Sequence, residues 1–250
     1  MTPRNALART RLVLLAAGLG TRLRPLTNTT PKCLVPIAGR PLLDYWVDRF
    51  RDASVGDVLV NTHHLPEQVR AYMDEINGEG RVCLRESYER KLLGSAGTIA
   101  ANRDWADEAD DVFIVYADNL SNVDLSALLA YHRSHDDPMT MMLFRAPVPS
   151  ACGIAELDAE GRVVAFTEKP EKPKSDLANA GLYVVTAEAY REIADMNAFD
   201  LGFDVLPKFV GRMRGWLHEG YHLDIGTHEA LAQAEADAPR VFAQTTDSPT

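Results

Sequence analysis

The chain has 250 residues, of which 46% are hydrophobic and 25% charged, and these ordinary values exclude collagen-like, low-complexity and wholly disordered classes. The net charge of -10 argues against general binding to nucleic acid, because an acidic surface repels a phosphate backbone. The longest apolar run, Leu12 to Gly20, is shorter than the roughly 20 residues of a membrane span, so no membrane segment is predicted.

The first ten residues are basic and are predicted to form a flexible N-terminus. Arg4 and Arg9 precede an apolar run, as in a secretory signal peptide, but that run continues directly into a glycine-rich turn with its own structural meaning. We therefore expect no secretion signal and a cytoplasmic protein. The three cysteines lack a CxxC spacing, which argues against a disulfide framework and against a cysteine-based zinc site.

The first half of the chain alternates short apolar runs with amphipathic segments. The runs predict strands at Leu12 to Leu15, Val58 to Val60, Arg81 to Arg85 and Val112 to Tyr116. Pro41 opens a helix whose apolar residues through Phe50 share one face, and Pro66 opens another that ends at Asn77-Gly78. This alternation predicts an α/β fold with a mixed, mostly parallel central sheet flanked by helices.

The second half is richer in predicted strands. Met139 to Phe144 is one, and Gly153 to Leu157 and Arg162 to Thr167 flank a turn to give a β-hairpin. Further strands are predicted at Ala180 to Val185 and Trp216 to Asp224, and Thr227 is predicted to cap a final helix through Ala236. We expect a single domain over residues 11–240, followed by a flexible tail, 241–250.

A glycine-rich turn, from Ala16 to Arg22, follows the first predicted strand. Its glycines allow backbone N–H groups to approach a phosphate chain. A dinucleotide fingerprint would need a glycine at Leu23, and a Walker A loop would need Gly-Lys-Ser/Thr, so both motifs are excluded. Arg24 and Lys32 add positive charge that suits a triphosphate. The alternative is a plain tight turn with surface arginines.

A longer pattern then becomes recognisable. The segment Leu14 to Thr27, with Pro31 to Ile37 and Gly39 to Pro41, resembles the signature of sugar-1-phosphate nucleotidylyltransferases. The resemblance continues through Leu93 to Gly97, Tyr116 to Asp118, Phe166 to Pro170, Asn179 to Gly181 and Asp224 to Gly226. It covers residues 11 to about 235 and looks most like mannose- or heptose-1-phosphate guanylyltransferases. It implies a Rossmann-like nucleotidyltransferase fold, with the hairpin extending around a sugar pocket.

The resemblance implies a reaction between a nucleoside triphosphate and a sugar 1-phosphate that forms a nucleotide sugar and pyrophosphate. A phosphate monoester, with a second pKa of about 6, is mostly dianionic at pH 7, so no general base is required. Positioning and charge neutralisation then carry catalysis. GTP is favoured, and the alternatives are the same reaction with UTP, dTTP or CTP and another sugar 1-phosphate. A catalytically silent regulatory subunit that binds nucleotide sugars is an alternative of a different class.

Two aspartates are the expected metal ligands. Asp118 follows the strand Val112 to Tyr116, and Asp224 follows a late apolar stretch. In the family that this chain resembles, aspartates at these positions hold Mg²⁺ between the nucleotide and the sugar phosphate. Mg²⁺ is commonly held by one or two carboxylates with phosphates and water, so this pair is chemically sufficient. From spacing alone, each aspartate fits a turn or a helix cap equally well.

The resemblance also implies the remaining roles. Arg22 neutralises the leaving pyrophosphate and Lys32 lies near the triphosphate, so both join the two aspartates as catalytic residues. Lys169 holds the sugar phosphate and Glu168 binds sugar hydroxyls, although the charged run that follows also fits a solvated loop. The other sugar-contacting positions are Gly153 and Asn179. The nucleotide is expected along Leu15, Ala17, Gly18, Gly20, Thr21, Arg22, Lys32, Gly94 and Ser95.

Three further points bear on the site. Position 152 often carries an aromatic residue beside the sugar in this family, and here it is Cys152. His132 and His135 have helical spacing but lie among charged residues, which predicts a solvated face. His222 and His228 flank Asp224 and receive no role. The expected partners are the two substrates, without nucleic acid or membrane, and the sequence allows a homo-oligomer.

Overall fold

The computed structural model describes residues 9–80 and 82–243, so the predictions for residues 1–8, Arg81 and residues 244–250 lie outside it. The strands are β1 (Thr10–Leu15), β2 (Pro36–Ile37), β3 (Arg40–Pro41), β4 (Asp57–Thr62), β5 (Cys83–Tyr88), β6 (Asp111–Tyr116), β7 (Asn119–Ser121), β8 (Met139–Arg145), β9 (Gly153–Leu157), β10 (Val163–Glu168), β11 (Leu177–Thr186), β12 (Met213–Leu217) and β13 (His222–Asp224). The α-helices are α1 (Leu42–Asp52), α2 (Pro66–Gly78), α3 (Gly94–Ala101), α4 (Leu125–His132), α5 (Ala187–Asp195), α6 (Leu206–Phe209) and α7 (His228–Val241).

A nine-stranded mixed sheet forms the centre of the fold. Its strands β6, β1, β4 and β5 are parallel neighbours in that order. β11 runs antiparallel to β6, β8 and β9, and the β9–β10 hairpin and β12 complete the sheet. The predicted α/β class, mixed sheet and hairpin are therefore confirmed. The carboxyl ends of the four parallel strands meet at one edge, where such sheets place their ligand sites.

Helices cover both faces of this sheet, and the apolar runs of the strands explain why. Leu12 and Leu14 pack into one layer with α1, α2 and α4, whereas Val13 and Leu15 pack into the other with α3 and α5. Successive strand residues point to opposite faces, so a continuous apolar run requires cover on both sides. A smaller third cluster packs α7 against α1 and the β13 region.

Several predicted boundaries are wrong. The stretch from Trp216 to Asp224 forms two strands, because β12 pairs with β8 in the main sheet while β13 pairs with β7 in a separate ribbon. The chain turns between them, around Gly220. β5 extends beyond its predicted end to Tyr88, β1 already includes Thr10, and α7 continues past Ala236 to Val241. Thr227 does cap α7, because its hydroxyl oxygen accepts a hydrogen bond from the Ala230 N–H.

The predicted solvated face of α4 is also wrong. His132 is buried, and its Nδ1 lies 2.9 Å from the Thr140 hydroxyl, which is also 2.9 Å from Nε2 of His135. Of the helices in the described part of the chain, none is long and apolar enough to cross a membrane.

Candidate active site

Two adjoining cavities open at the carboxyl edge of the parallel strands. The first is lined by Leu15, Ala16, Ala17, Gly18, Lys32, Cys33, Asn61, Glu89, Leu92, Gly94, Ser95, Tyr116, Ala117, Asp118 and Asp200. The second is lined by Tyr116, Asp118, Asn119, Phe144, Ala151, Cys152, Gly153, Glu168, Lys169, Asn179, Ala180, Gly181, Tyr183, Asp200, Gly202, Phe203, His222 and Asp224. Tyr116, Asp118 and Asp200 belong to both linings, so the cavities meet at the end of β6.

The turn after β1 is held in place by Asn61, at the carboxyl end of β4. Its Oδ1 accepts hydrogen bonds from the backbone N–H groups of Ala16 and Ala17, at 2.6 and 3.2 Å. Gly20 then adopts a left-handed backbone, and a Cβ there would lie 2.8 Å from Cγ2 of Thr27. A side chain would therefore be strained at Gly20, which explains the second glycine of the motif.

Glu89 is a buried carboxylate that fixes the opposite wall of the first cavity. It is 3% exposed, and its Oε1 accepts hydrogen bonds from Asn61 Nδ2 at 2.9 Å and from the Thr98 hydroxyl at 2.6 Å. Its Oε2 accepts the Leu93 N–H at 3.0 Å. Through these hydrogen bonds, Glu89 and Asn61 connect the glycine-rich turn after β1 to the start of α3. Sequence reasoning missed both, although each is a polar residue at or just after the end of a strand, the signal that drew attention to Asp118.

Lys32, Asp118 and Asp224 form a charged triad where the cavities meet. Lys32 begins a short 3-10 helix, and its buried Nζ lies 2.6 Å from Oδ2 of Asp118 and 3.7 Å from Oδ1 of Asp224. These three residues come from distant parts of the chain. They are positioned to neutralise or bind charged groups shared between two ligands.

The ribbon of β7 and β13 brings the two aspartates together. Asn119 pairs with Asp224 across this ribbon, and the Ile225 N–H donates to the carbonyl oxygen of Asp118 at 2.8 Å. The spacing of the carboxylates is therefore set by backbone hydrogen bonds rather than by flexible side chains. Partial burial and the nearby Asp118 carboxylate raise the pKa of Asp224, and Lys32 and Arg22 offset this rise only in part.

This arrangement fits a divalent cation that is shared with substrates. In the described ranges, no group of three or more His, Cys, Asp or Glu side chains is arranged to hold a metal. Two carboxylates face each other, however, and their mutual repulsion is one cause of the raised pKa of Asp224. A pair of carboxylates completed by phosphate oxygens and water is a donor set that Mg²⁺ accepts. Asp118 and Asp224 are the residues that could hold it.

Part of the predicted basic loop lies outside the cavities. Gly20, Thr21 and Arg22 line neither of them, and the Arg22 guanidinium is exposed, with Nη2 4.0 Å from Oδ2 of Asp224. Gly226 leaves room for this arginine, because a Cβ at that position would lie 2.6 Å from the same nitrogen. Leu15, Ala17, Gly18, Lys32, Gly94 and Ser95, by contrast, all line the first cavity. Gly94 and Ser95 start helix α3 instead of lying in a loop.

The predicted sugar-contacting residues line the second cavity. Gly153 pairs with Glu168 across the hairpin, and a Cβ on Gly153 would overlap the Glu168 carboxylate and lie 2.6 Å from Cζ of Phe166, so glycine leaves room for both side chains. Lys169 follows with a positive φ of 48°. Burial raises the pKa of Glu168, and the effect of Asp200 in the same direction adds to it, against the lowering effect of Lys169. Asn179 is already engaged, because its Nδ2 donates to the Tyr183 hydroxyl and its Oδ1 accepts the Gly181 N–H.

Asp200 is another residue that sequence reasoning missed. It lines both cavities, and its Oδ2 lies 3.4 Å from the hydroxyl oxygen of Ser95. The same hydroxyl accepts the Leu201 N–H at 2.8 Å, and the Ala96 N–H donates to the carbonyl oxygen of Phe199 at 3.1 Å. The start of α3 is thus bonded to the segment that closes the second cavity. A single aspartate between Phe199 and Leu201 gives no signal in the sequence that it lies in a site.

The unassigned histidines separate into two cases. His222 lines the second cavity, and its ring centroid lies 4.7 Å from that of Phe144. His228 instead contacts the carbonyl oxygen of Arg24 through Nε2, at 3.0 Å. In the part of the chain that the structure describes, neither ring is hydrogen-bonded to the carboxylates of the triad, and we assign neither of them to the charged centre.

Comparison with known proteins identifies the family. The sequence model of the nucleotidyl transferase family matches residues 11–240. The chain is 34% identical over 237 residues to a mannose-1-phosphate guanylyltransferase of Mycobacterium tuberculosis, a match that covers 92% of this chain and 65% of the relative. It is 31% identical to a UTP–glucose-1-phosphate uridylyltransferase of Synechocystis, over 80% of this chain and 55% of the relative. A glucose-1-phosphate thymidylyltransferase of Streptomyces griseus is 35% identical, over 74% of this chain and 51% of the relative.

The chain thus spans between about half and two thirds of the length of these curated relatives. Among solved structures, a crystal structure of a Bacillus anthracis protein named for glucose-1-phosphate thymidylyltransferase superposes with a TM-score of 0.78. The match covers 96% of this chain and 98% of that one at 21% identity, and it shows a shared fold.

Proposed function

The chain belongs to the nucleotidyl transferase family, and from this premise we propose that it is a sugar-1-phosphate nucleotidylyltransferase. The observation that carries the proposal is the meeting of two cavities at Lys32, Asp118 and Asp224. Transfer between two substrates requires that they lie side by side, with charge placed where they touch. The two cavities and the charged triad between them supply that arrangement.

The first cavity takes the nucleoside triphosphate. Leu15, Ala17 and Gly18 form the wall along which the nucleotide lies, and Gly94 and Ser95 face its base. A Cβ at Gly18 would meet open space, so the backbone there is accessible to a ligand. Asn61 holds this turn in one conformation, which reduces the ordering that binding would otherwise cost.

The second cavity takes the sugar 1-phosphate. Lys169 lies in its lining, and its ammonium group suits the sugar phosphate. Glu168 accepts hydrogen bonds from sugar hydroxyls, and Gly153 allows that carboxylate to approach the hairpin. Asn179 has one amide hydrogen left after its bond to Tyr183, and this hydrogen is available to the sugar.

The chemical step is a displacement at phosphorus. An oxygen of the sugar phosphate attacks the α-phosphorus, the bond from that phosphorus to the bridging oxygen of the β-phosphate breaks, and pyrophosphate leaves with that oxygen. The dianionic phosphate is its own nucleophile, so no side chain has to remove a proton. Lys32 neutralises charge at the α-phosphate, and Arg22, beside Asp224, neutralises the departing pyrophosphate.

Asp118 and Asp224 would hold Mg²⁺, and the bound ion would supply positive charge that offsets the negative charge of the substrate phosphates. Lys32 lies within ion-pair distance of both carboxylates and offsets part of their negative charge. Arg22 is more exposed than Lys32. Within the described part of the chain, its guanidinium forms an ion pair with Asp224 and not with Asp118. We place the reaction in the cytoplasm, where both charged substrates occur.

We further propose GTP as the donor and a mannose- or heptose-like sugar 1-phosphate as the acceptor. Glu89 supports guanine, because its Oε2 accepts one hydrogen bond from Leu93 and has a second lone pair for the N–H or the amino group that guanine presents on one edge. A guanylyltransferase is among the relatives, together with enzymes named for UTP and thymidylyl transfer. The alternatives are therefore UTP, dTTP or CTP with another sugar 1-phosphate.

The test is pyrophosphate release with Mg²⁺, across GTP, UTP, dTTP, CTP and ATP against a panel of sugar 1-phosphates. We expect release that requires both substrates and is fastest with GTP. Fastest release with another nucleotide would replace only the choice of base. No release with any pair, from folded protein that still binds a nucleotide, would overturn the enzymatic proposal in favour of a regulatory subunit.

A further inference from the structure

Phe203 is an aromatic side chain that lines the second cavity and yet is left 62% exposed. We propose that its ring is a stacking surface for the pyranose ring of the acceptor sugar, and that it helps to determine which sugar 1-phosphate is used. The proposal rests on the function proposed above and adds a residue for sugar selection. Isolated exposed apolar residues are common, so the argument depends on where this ring lies and how firmly it is held.

The backbone that carries Phe203 is fixed by two aspartates. Its N–H donates to Oδ1 of Asp200 at 2.9 Å, at the start of a π-helical turn, Leu201–Val205. Oδ2 of Asp204 accepts the N–H groups of Phe199 and Asp200 at 3.0 and 2.8 Å. These bonds leave the ring at a defined place on the rim of the cavity.

The residues on either side of Phe203 anchor the same turn in the core. Leu201 and Val205 are almost fully buried and belong to the layer that covers one face of the sheet. Phe203 is thus an exposed ring on a turn with buried supports. Because the backbone of this turn is already ordered, a ligand that packs against the ring would not have to order the turn as well.

The turn also lies against the carboxylate that is assigned to the sugar hydroxyls. Gly202 precedes Phe203, and a Cβ on Gly202 would lie 3.1 Å from Oε2 of Glu168. An acceptor of sugar hydroxyls and an aromatic ring are therefore neighbours in one lining. A pyranose presents hydroxyls at its edge and weakly positive C–H bonds on its face, and the latter suit the negative face of an aromatic ring.

Tyr116, Phe144 and Tyr183 also line this cavity, as does Cys152. Among the aromatic residues of this lining in the described chain, Phe203 is the one whose ring is left exposed for a ligand to cover. The inference concerns a pyranose ring with a free C–H face, and it does not depend on which base the nucleotide carries.

The chain offers a matched control in Phe199. This residue lies on the same segment and is 61% exposed, but it lines neither cavity. The experiment compares Phe203→Leu, Phe203→Tyr and Phe199→Leu by the KM for mannose 1-phosphate and glucose 1-phosphate, with the KM for the nucleotide measured in parallel. We expect Phe203→Leu to raise the sugar KM about tenfold and to leave the nucleotide KM unchanged. Phe203→Tyr should retain the wild-type value, and Phe199→Leu should not change the sugar KM.

A binding measurement separates stacking from a general effect on the turn. In saturation-transfer NMR with the α,β-methylene analogue of the preferred nucleotide, irradiation of aromatic protons should transfer to the C–H protons of one pyranose face. This transfer should be lost in Phe203→Leu and kept in Phe203→Tyr. Wild-type turnover with unchanged sugar KM in Phe203→Leu, or an equal rise in Phe199→Leu, would overturn the stacking role while the proposed function stands. A wild-type protein that neither binds nor uses any sugar 1-phosphate would overturn both, and a change of oligomeric state in Phe203→Leu with unchanged KM would assign the ring to a protein contact.

Discussion

Nζ of Lys32 lies 2.6 Å from Oδ2 of Asp118, although the two residues are 86 positions apart in the sequence. This ion pair connects the 3-10 helix that begins at Lys32 to the residue that follows β6 by two positions, where the two cavities meet. The same ammonium group lies 3.7 Å from Oδ1 of Asp224, so one cation is shared by two carboxylates. The charge state of this small cluster should control both substrate binding and turnover.

Replacing Lys32 by Met should reduce turnover by at least about 100-fold, because one preorganised positive group at the transferring phosphate is lost. Lys32→Arg should recover part of the rate, since it restores the charge with a different shape. The measurement is kcat for pyrophosphate release. Lys208→Met, at an exposed lysine outside both cavities, is the control. A Lys32→Met enzyme within twofold of wild type would remove Lys32 from the catalytic group.

Asp118→Asn and Asp224→Asn should each reduce turnover strongly and shift the Mg²⁺ dependence to concentrations about 10- to 100-fold higher, because each removes one carboxylate ligand. The fold should survive, since both side chains are partly exposed. Initial rates across a Mg²⁺ series, with thermal unfolding in parallel, test this expectation. Asp74→Asn, at an exposed position on α2, provides the comparison. An unchanged Mg²⁺ profile in both active-site variants would contradict the metal assignment.

Arg22→Ala should reduce kcat while leaving the KM for the sugar 1-phosphate near its wild-type value, because this residue is assigned to the leaving pyrophosphate and lies outside the sugar cavity. Steady-state kinetics with both substrates varied separate the two constants. Arg9→Ala, which removes an exposed arginine paired with Asp110, is the matched control. An unchanged kcat would show that the basic turn is not part of the phosphate site.

Glu89→Gln should lower the free energy of unfolding by about 1–3 kcal/mol. The NH₂ group of glutamine would face either the Leu93 N–H or the donors of Asn61 and Thr98, so at least one of these donors would lose its acceptor. The preference for GTP over UTP should also fall if this carboxylate faces the base. Urea unfolding and the ratio of kcat/KM for the two nucleotides measure these effects. Glu75→Gln, on the exposed side of α2, should change neither. A stable Glu89→Gln protein with unchanged preference would show that Glu89 has neither role.

Asp111 should make the stability of the fold depend on acid pH. Burial raises the pKa of Asp111, but hydrogen bonds from His132 and Arg133 outweigh it and hold the pKa below its ordinary value. A carboxyl group with a lowered folded pKa stabilises the fold fully above its unfolded value, about 3.9, and this contribution is lost as the pH falls towards the folded value. Asp111→Asn should therefore cost about 2 kcal/mol at pH 7 and progressively less below about pH 4.

Asp110→Asn is the control for this prediction. Asp110 is next to Asp111 in the sequence, but its carboxylate is exposed and pairs with the exposed Arg9. We expect less than about 1 kcal/mol from it, as for other surface ion pairs. Urea unfolding curves at several pH values between neutral and acid compare the two variants. If Asp111→Asn lowered the free energy of unfolding by the same amount at every pH, the cause would be packing and not the ionisation of the carboxyl group.

The parallel strands were predictable because continuous apolar runs leave few alternatives to a strand that is covered on both faces. Helix α3 was not, since Gly94, Ser95 and Gly97 disfavour a helix when taken alone. Its first turn forms in contact with Phe199 and Leu201, more than 100 residues later in the sequence. The break between β12 and β13 has a similar origin, because pairing partners from β8 and β7 decide where each strand ends.

In the candidate site, the predicted residues were found where a spaced pattern resembled a known family, and missed where a single polar side chain acts. Glu89 is one of several charged residues in its segment and Asp200 lies between Phe199 and Leu201, and only the folded chain shows that both line cavities. His132 was predicted to be solvated because charged residues flank it, yet Thr140 and Asp111 provide partners for its ring inside the fold. Local composition does not contain such long-range partners.

The pairing of β7 with β13 has a consequence for how the protein becomes active during synthesis. Asp224 stands near the end of the described chain, and its place beside Asp118 depends on this short ribbon. A ribosome that has released residues only as far as β12 would carry Lys32 and Asp118 without the second carboxylate. The nascent protein should therefore fold most of its central sheet and the glycine-rich turn after β1 before Lys32, Asp118 and Asp224 come together. Catalytic competence would then require that β13 has left the ribosome and paired with β7.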